Sequence, residues 1–173
     1  RAHSADAVLI AGDVYDRPVP PPEAVAAFDR FLTVLQGLHV ACLLIPGNHD
    51  SDERLAFGAQ LVQGAGMHFA PVFDGTAHTV TLQDAYGAVQ FTLLPFLRPA
   101  QVRRWFPEVQ PGDYEGAIRA VLGTVEKQPD ARQVLLAHQF VTALGAPPER
   151  CESELASVGT LDNVDVSVFD GYD

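Results

Sequence analysis

Two short runs of this chain carry the residue types that phosphate-ester chemistry uses: Gly12-Asp13-Val14-Tyr15-Asp16-Arg17 and, further along, Gly47-Asn48-His49-Asp50. A carboxylate such as Asp13 can place one oxygen on each of two cations and hold the pair about 3.5 to 4 Å apart, the separation used in two-metal hydrolysis. Asn48 offers an amide oxygen that suits a hard divalent ion without adding charge. His49 beside it can face a phosphate, protonating the leaving oxygen or stabilising the charge that develops there. Each residue also has a plain structural reading, because Gly-Asp and Gly-Asn pairs commonly just turn the chain. The pairing of the two runs favours chemistry, since a bare turn does not call for a histidine at its tip.

Three further residues depend on where the chain carries them. Asp16 has two readings: a supporting catalytic role, accepting a hydrogen bond from His49 and keeping the imidazole oriented and protonated, or a turn residue paired with Arg17. Asp50 divides between support for the site and the N-cap of a following helix. His138 follows the apolar run Val134-Leu135-Leu136-Ala137. It reads as a third metal ligand, after Asp13 and Asn48, because that strand should end at the same edge as the two motifs; the alternative is a core-edge histidine. His3, His39, His68 and His78 lack partner spacing and read as surface or strand-edge residues. Arg103-Arg104-Trp105 suits either a phosphate-contacting patch with a stacking aromatic or a helix exposing two arginines and burying one tryptophan, the second being the commoner arrangement.

The elements that would position these residues follow from periodicity. Val8 to Ala11 is a continuous apolar run, as in a strand covered on both faces of a parallel sheet. From Pro22 to Gly37 the apolar Val25, Phe28, Leu32 and Leu35 recur every three or four residues, between prolines and a glycine, which predicts an amphipathic helix. A strand from Val40 to Ile45 completes a βαβ unit and brings both motifs to one carboxyl edge. Ser51 or Asp52 is expected to cap a helix reaching Val62, ended by Gly64-Ala65-Gly66 before a short strand at Met67 to Ala70. Thr79–Leu82 and Val89–Leu94 read as an antiparallel hairpin. A helix from Asp113 to Lys127 and a strand from Gln133 to Ala137 follow, the latter delivering His138.

The composition bounds what the chain can do. With 47% hydrophobic and 19% charged residues in 173, it is an ordinary globular sequence long enough for one core. No apolar run approaches the roughly 18 to 20 residues of a membrane helix, so no membrane association and a cytoplasmic location are expected. Cys42 and Cys151 have no metal-type spacing and read as reduced and structural. The 11 basic against 22 acidic residues give a net charge of −11, which argues against broad nonspecific binding to nucleic acid. Two bound divalent cations would add about +4 locally and could still draw a phosphodiester to the site.

On these motifs the sequence resembles the calcineurin-like metallophosphoesterase superfamily. The stretches Leu94-Pro95-Phe96-Leu97-Arg98-Pro99, Ala137-His138-Gln139-Phe140 and Val158-Gly159-Thr160-Leu161-Asp162 are more particular to its DNA-repair nuclease branch. The resemblance implies an α/β sandwich of α-β-β-α layers with mixed sheets, Asp13 as bridging ligand, Asn48 and His138 as ligands, and His49 as the catalytic histidine. It further implies two divalent ions, manganese foremost and magnesium second, acting in exonuclease and endonuclease cleavage of DNA. A homodimer and an SMC-like ATPase partner are implied as well. Alternatives are a phosphomonoesterase, a cyclic-nucleotide phosphodiesterase, or a non-catalytic scaffold of the same fold. The family's Asp-x-His and Gly-His-x-His motifs are not in these residues, so residues 1–173 read as one truncated domain that alone is inactive or nearly so.

Overall fold

The apolar run at the start forms β1 (Ala7–Ala11), which pairs in parallel with β2 (Ala41–Ile45), Ala7 opposite Ala41 and Ala11 opposite Ile45. The computed structural model describes residues 5–143 and 162–172. Cys151 and the Val158–Leu161 stretch therefore lie outside the described residues. Between the two strands runs α1 (Pro22–Gly37), with the bounds its periodicity predicts. Proline suits its first turn because the N–H it lacks would have no intrahelical partner there. The Leu38 N–H closes the far end on Val34 and Leu35 carbonyls, both at 3.1 Å. β3 (Met67–Phe69) adds to β2 in parallel, giving a first sheet of order β1-β2-β3.

The helix expected from Ser51 to Val62 is instead two single turns, α2 (Asp52–Leu55) and α3 (Ala59–Val62). Gly58 breaks it by taking a φ of 74°, outside the helical region. Ser51 is the cap, its Oγ accepting the Arg54 N–H at 3.4 Å.

The second sheet is mixed. β4 (His78–Asp84) and β5 (Gly87–Leu94) form the expected hairpin, longer than its apolar alternation suggested and closed from Asp84 opposite Gly87. β6 (Arg132–Ala137) lies parallel to β5 on the other side. Between β5 and β6 come α4 (Pro99–Val102) and α5 (Tyr114–Leu122). Asp113 caps α5 by accepting the Gly116 N–H at 2.7 Å. This helix stops at Leu122 rather than Lys127, and the reason is tertiary. The Gln90 side chain, 2% exposed, donates to the Glu126 carbonyl at 3.0 Å and accepts from the Gln128 N–H at 2.8 Å. A buried amide left unpaired is costly, and pairing it with these two backbone groups holds the segment out of the helix. A small parallel pair, β7 (Phe140–Thr142) with β8 (Asn163–Asp165), completes the strands.

Strand alternation sorts the core into layers. Leu43 and Ile45 of β2 pack with Val89, Phe91 and Leu93 of β5 and Leu136 of β6, so the two sheets meet face to face. On the opposite face of β2, Cys42 packs with Leu35 of α1 and Met67 of β3. Leu94, at the end of β5, joins Ile118 and Val121 of α5 in the third cluster. The sequence of layers is helix, sheet, sheet, helix, as the resemblance implied. Truncating a buried residue such as Leu43 in this seam would cost about 2 to 5 kcal/mol.

Candidate metal centre

Because β1 and β2 run in parallel and in register, their following loops emerge side by side at one edge. Gly12 and Asp13 both take positive φ there, 88° and 47°. An aspartate in the left-handed region is uncommon, and such strain of about 1 to 3 kcal/mol concentrates at functional turns. It turns the Asp13 carboxylate toward the second loop, where Oδ1 accepts the His49 N–H at 3.1 Å. Oδ2 lies 3.4 Å from His138 Nε2. Two glycines make this approach possible: a Cβ on Gly12 would collide with the His138 ring, and one on Gly47 with the Asp13 carboxylate.

His138 arrives from the other sheet, just past β6, and its ring is fixed from both sides. Nδ1 lies 2.8 Å from the Ala11 carbonyl and Nε2 lies 2.9 Å from Asn48 Oδ1. A carbonyl only accepts, so Nδ1 carries a proton. In the neutral ring Nε2 then directs its lone pair at two oxygens, those of Asn48 and Asp13, an arrangement that an intervening cation relieves. Carboxylate, amide oxygen and imidazole make a donor set that fits a divalent ion of the manganese or magnesium type. Among the described residues no cluster of three or more His, Cys, Asp or Glu side chains suits a metal; here the third donor is an amide.

Asp50 holds the two loops together. Oδ2 accepts the Val14 N–H at 3.0 Å and the Gly47 N–H at 2.9 Å, while Oδ1 accepts the Tyr15 N–H at 2.9 Å. Of its two sequence readings, site support is the one the structure forms, since Ser51 takes the helix cap. Burial pushes the neighbouring Tyr15 phenol above its usual range, and the Asp50 charge adds to that.

Asp16 forms the contact of its second reading, 3.4 Å from Arg17, with the two side chains 73% and 70% exposed. The hydrogen bond from His49 to Asp16 is not among those formed by the described residues. His49 stands at the loop tip beside Asn48, half-buried, its backbone tied to Asp13. A neighbour that residue chemistry did not single out is Phe96. Its N–H donates to Pro46 at 3.1 Å, and its ring meets His138 edge-on, with centroids 6.3 Å apart. The signal for it was the Leu94–Pro99 stretch, present in the resemblance but lacking any catalytic residue type. His78 pairs with Asp74 at 3.4 Å, away from this site.

Comparison with known proteins identifies the family of the chain. The calcineurin-like phosphoesterase family model matches residues 1–156. Among curated relatives, the SbcD component of the SbcCD nuclease of Staphylococcus epidermidis is 27% identical over 169 residues, covering 97% of this chain and 44% of the relative. The protein of the same name from Staphylococcus saprophyticus subsp. saprophyticus is 26% identical, with 97% and 44% covered. The chain thus spans under half the length of these relatives. No helix among the described residues is long and apolar enough to cross a membrane. The family model runs through both motif loops and the strand that carries His138, and this chain belongs to the calcineurin-like phosphoesterase family.

Proposed function

We propose that residues 1–173 are a single domain forming the phosphoesterase core of a metal-dependent DNA nuclease of the SbcD type, working in DNA repair and recombination in the cytoplasm. One observation carries the reading: Asp13, Asn48 and His138 come from three separate strand ends, and the Asn48 and Asp13 oxygens lie 2.9 and 3.4 Å from the same His138 nitrogen. On this reading those three residues hold divalent ions. Two ions, manganese foremost and magnesium as the alternative, would supply Lewis-acid polarisation of the phosphoryl oxygens and acidification of water. Asp13 would supply the carboxylate among the residues that hold these ions, and it already faces both the second loop and His138. The Ala11 carbonyl keeps the His138 proton on Nδ1 and so leaves Nε2 to ligate. His49 protonates the departing sugar oxygen or stabilises its charge, held in place through its own N–H on Asp13. Asp50 keeps both loops in the geometry that these roles need, and Asp16 stays with Arg17 outside the reacting set.

The relatives are named as components of a two-part nuclease. We extend that to this chain as a partnership with an SbcC-type SMC-like ATPase, with DNA as substrate and the nuclease component as a homodimer. The test is made in the longest natural form of the protein. Manganese-dependent cleavage of linear duplex DNA should exceed hydrolysis of a small aryl phosphate and vanish with chelator. Preference for the aryl phosphate, or for a cyclic nucleotide, would replace the nuclease reading with another phosphoesterase of the family. Absence of all hydrolysis would leave a scaffold.

A further inference from the structure

Beside α4 lies a hollow of about 270 Å³ whose walls include Asp52, Glu53, Gln101, Arg104 and Trp105. The commoner reading of Arg103-Arg104-Trp105 required a buried tryptophan, and the structure overturns it: Trp105 is 56% exposed. The indole is nonetheless seated. Its backbone N–H donates to Val102 at 2.9 Å, and a Cβ on Gly75 would come within 2.8 Å of the ring. One part of the ring rests on the Gly75 backbone while over half of the residue meets solvent. Arg103 and Arg104 next to it are both exposed.

This ledge connects to the metal centre. The Arg98 guanidinium lies 5.0 Å over the Phe96 ring, and Phe96 meets His138. Asp52 and Glu53 on the wall of the hollow follow directly on the loop that carries Asn48 and Asp50, and the Arg98 charge acts on Asp52 against burial and Glu53, which push its carboxyl upward. Arg98 stands over Phe96 next to His138, while Arg104 lines the hollow with the exposed Trp105, on a chain whose net charge is −11. Indole faces stack on any nucleobase, and guanidinium groups take phosphate. The carboxylates on the opposite wall repel phosphate and accept hydrogen bonds from the exocyclic amino groups of bases.

We propose that Trp105 and Arg104 form a subsite for one unpaired DNA strand beside the metal centre, Trp105 stacking a base in the hollow and Arg104 holding its phosphate at the rim. The inference rests on the phosphodiesterase reading above. It adds a place for a single strand, which a duplex cannot offer without unpairing its end.

The 173-residue chain has a single tryptophan, so its intrinsic fluorescence reports this ring alone. Titration with a short single-stranded oligodeoxynucleotide, in chelator so that nothing is cleaved, should quench the emission to saturation, while a blunt hairpin of equal length should not. By anisotropy of a labelled strand, Trp105→Ala should weaken binding about tenfold and Trp105→Phe less. Arg104→Gln should lower the slope of log affinity against log salt by about 0.7. Unchanged circular dichroism would show each variant folded. An unquenched tryptophan, equal quenching by the hairpin, or full affinity in Trp105→Ala would overturn the proposal. DNA cleavage by the longer protein without any quenching removes this subsite alone; quenching without cleavage of any ester removes the phosphodiesterase reading alone.

Discussion

Asp13 and Asp50 sit on adjacent loops at one sheet edge, yet their surroundings differ in a way that separates chemistry from scaffolding. Asp50 is 8% exposed and spends both oxygens on three backbone N–H groups. Asp13 has one backbone donor and turns its other oxygen to an imidazole, on a strained turn. An acid whose acceptor capacity is filled by the backbone positions a site. One left with an oxygen facing a ligand-type nitrogen can do the site's chemistry.

The sharpest way to break that distinction is Asp13→Asn, which should cut phosphodiester cleavage by about a thousandfold or more by removing the bridging charge while changing stability by less than about 1 kcal/mol. Cleavage rates and a denaturant melt on the same preparation check both halves; a large fall in stability would make Asp13 a second scaffold acid. Asp50→Ala should show the reverse emphasis. Its three hydrogen bonds to a charged group contribute about 1.5 to 3 kcal/mol each before non-additivity, so a loss of about 3 kcal/mol or more is expected in the melt. Gly47→Ala drives a methyl against the Asp13 carboxylate and should weaken manganese binding by about tenfold in calorimetry, with the strands left intact in circular dichroism.

Smaller effects mark the edges of the comparison. Burial pushes the Cys42 thiol up to about 11, so at pH 8 its reactive thiolate is on the order of one part in a thousand. Mass spectrometry after iodoacetamide treatment of the native chain should find Cys42 unlabelled, and labelling it would mean that the seam under α1 opens. Asp16→Asn should change the cleavage rate less than about threefold, because its partner is the exposed Arg17. A tenfold loss would restore the reading in which Asp16 orients His49.

Where the residue pattern sufficed, the signal was local. The bounds of α1 follow from prolines, a glycine and a helical apolar stripe, and the second motif loop follows from β2, an apolar strand that is interior; β1, expected to be covered on both faces, is instead an edge strand among the described residues, with Leu9 41% exposed. It failed where distant residues decide. Nothing around Lys127 announces that Gln90 will pull residues 126 to 128 out of the helix. The apolar spacing from Ser51 to Val62 is helical, but Gly58 turns the chain and leaves Phe57 and Leu61 each 88% exposed. Residue type alone assigns Trp105 to the interior, whereas the turn after α4 sets it on the Gly75 backbone. Asp50 could be narrowed to two roles only, since two of the amides it binds lie 35 and 36 positions upstream and only the third, three positions upstream, is local.

The His138 ring is carried by one sheet and gripped by the Ala11 carbonyl of the other. The ligand set proposed for it can therefore assemble only when the two halves of the sandwich are docked in their proper offset. On the metal reading proposed above, ion retention becomes an assay of assembly quality: after refolding, molecules that hold manganese through a desalting column should be those whose halves have joined correctly, and misdocked ones should pass through empty.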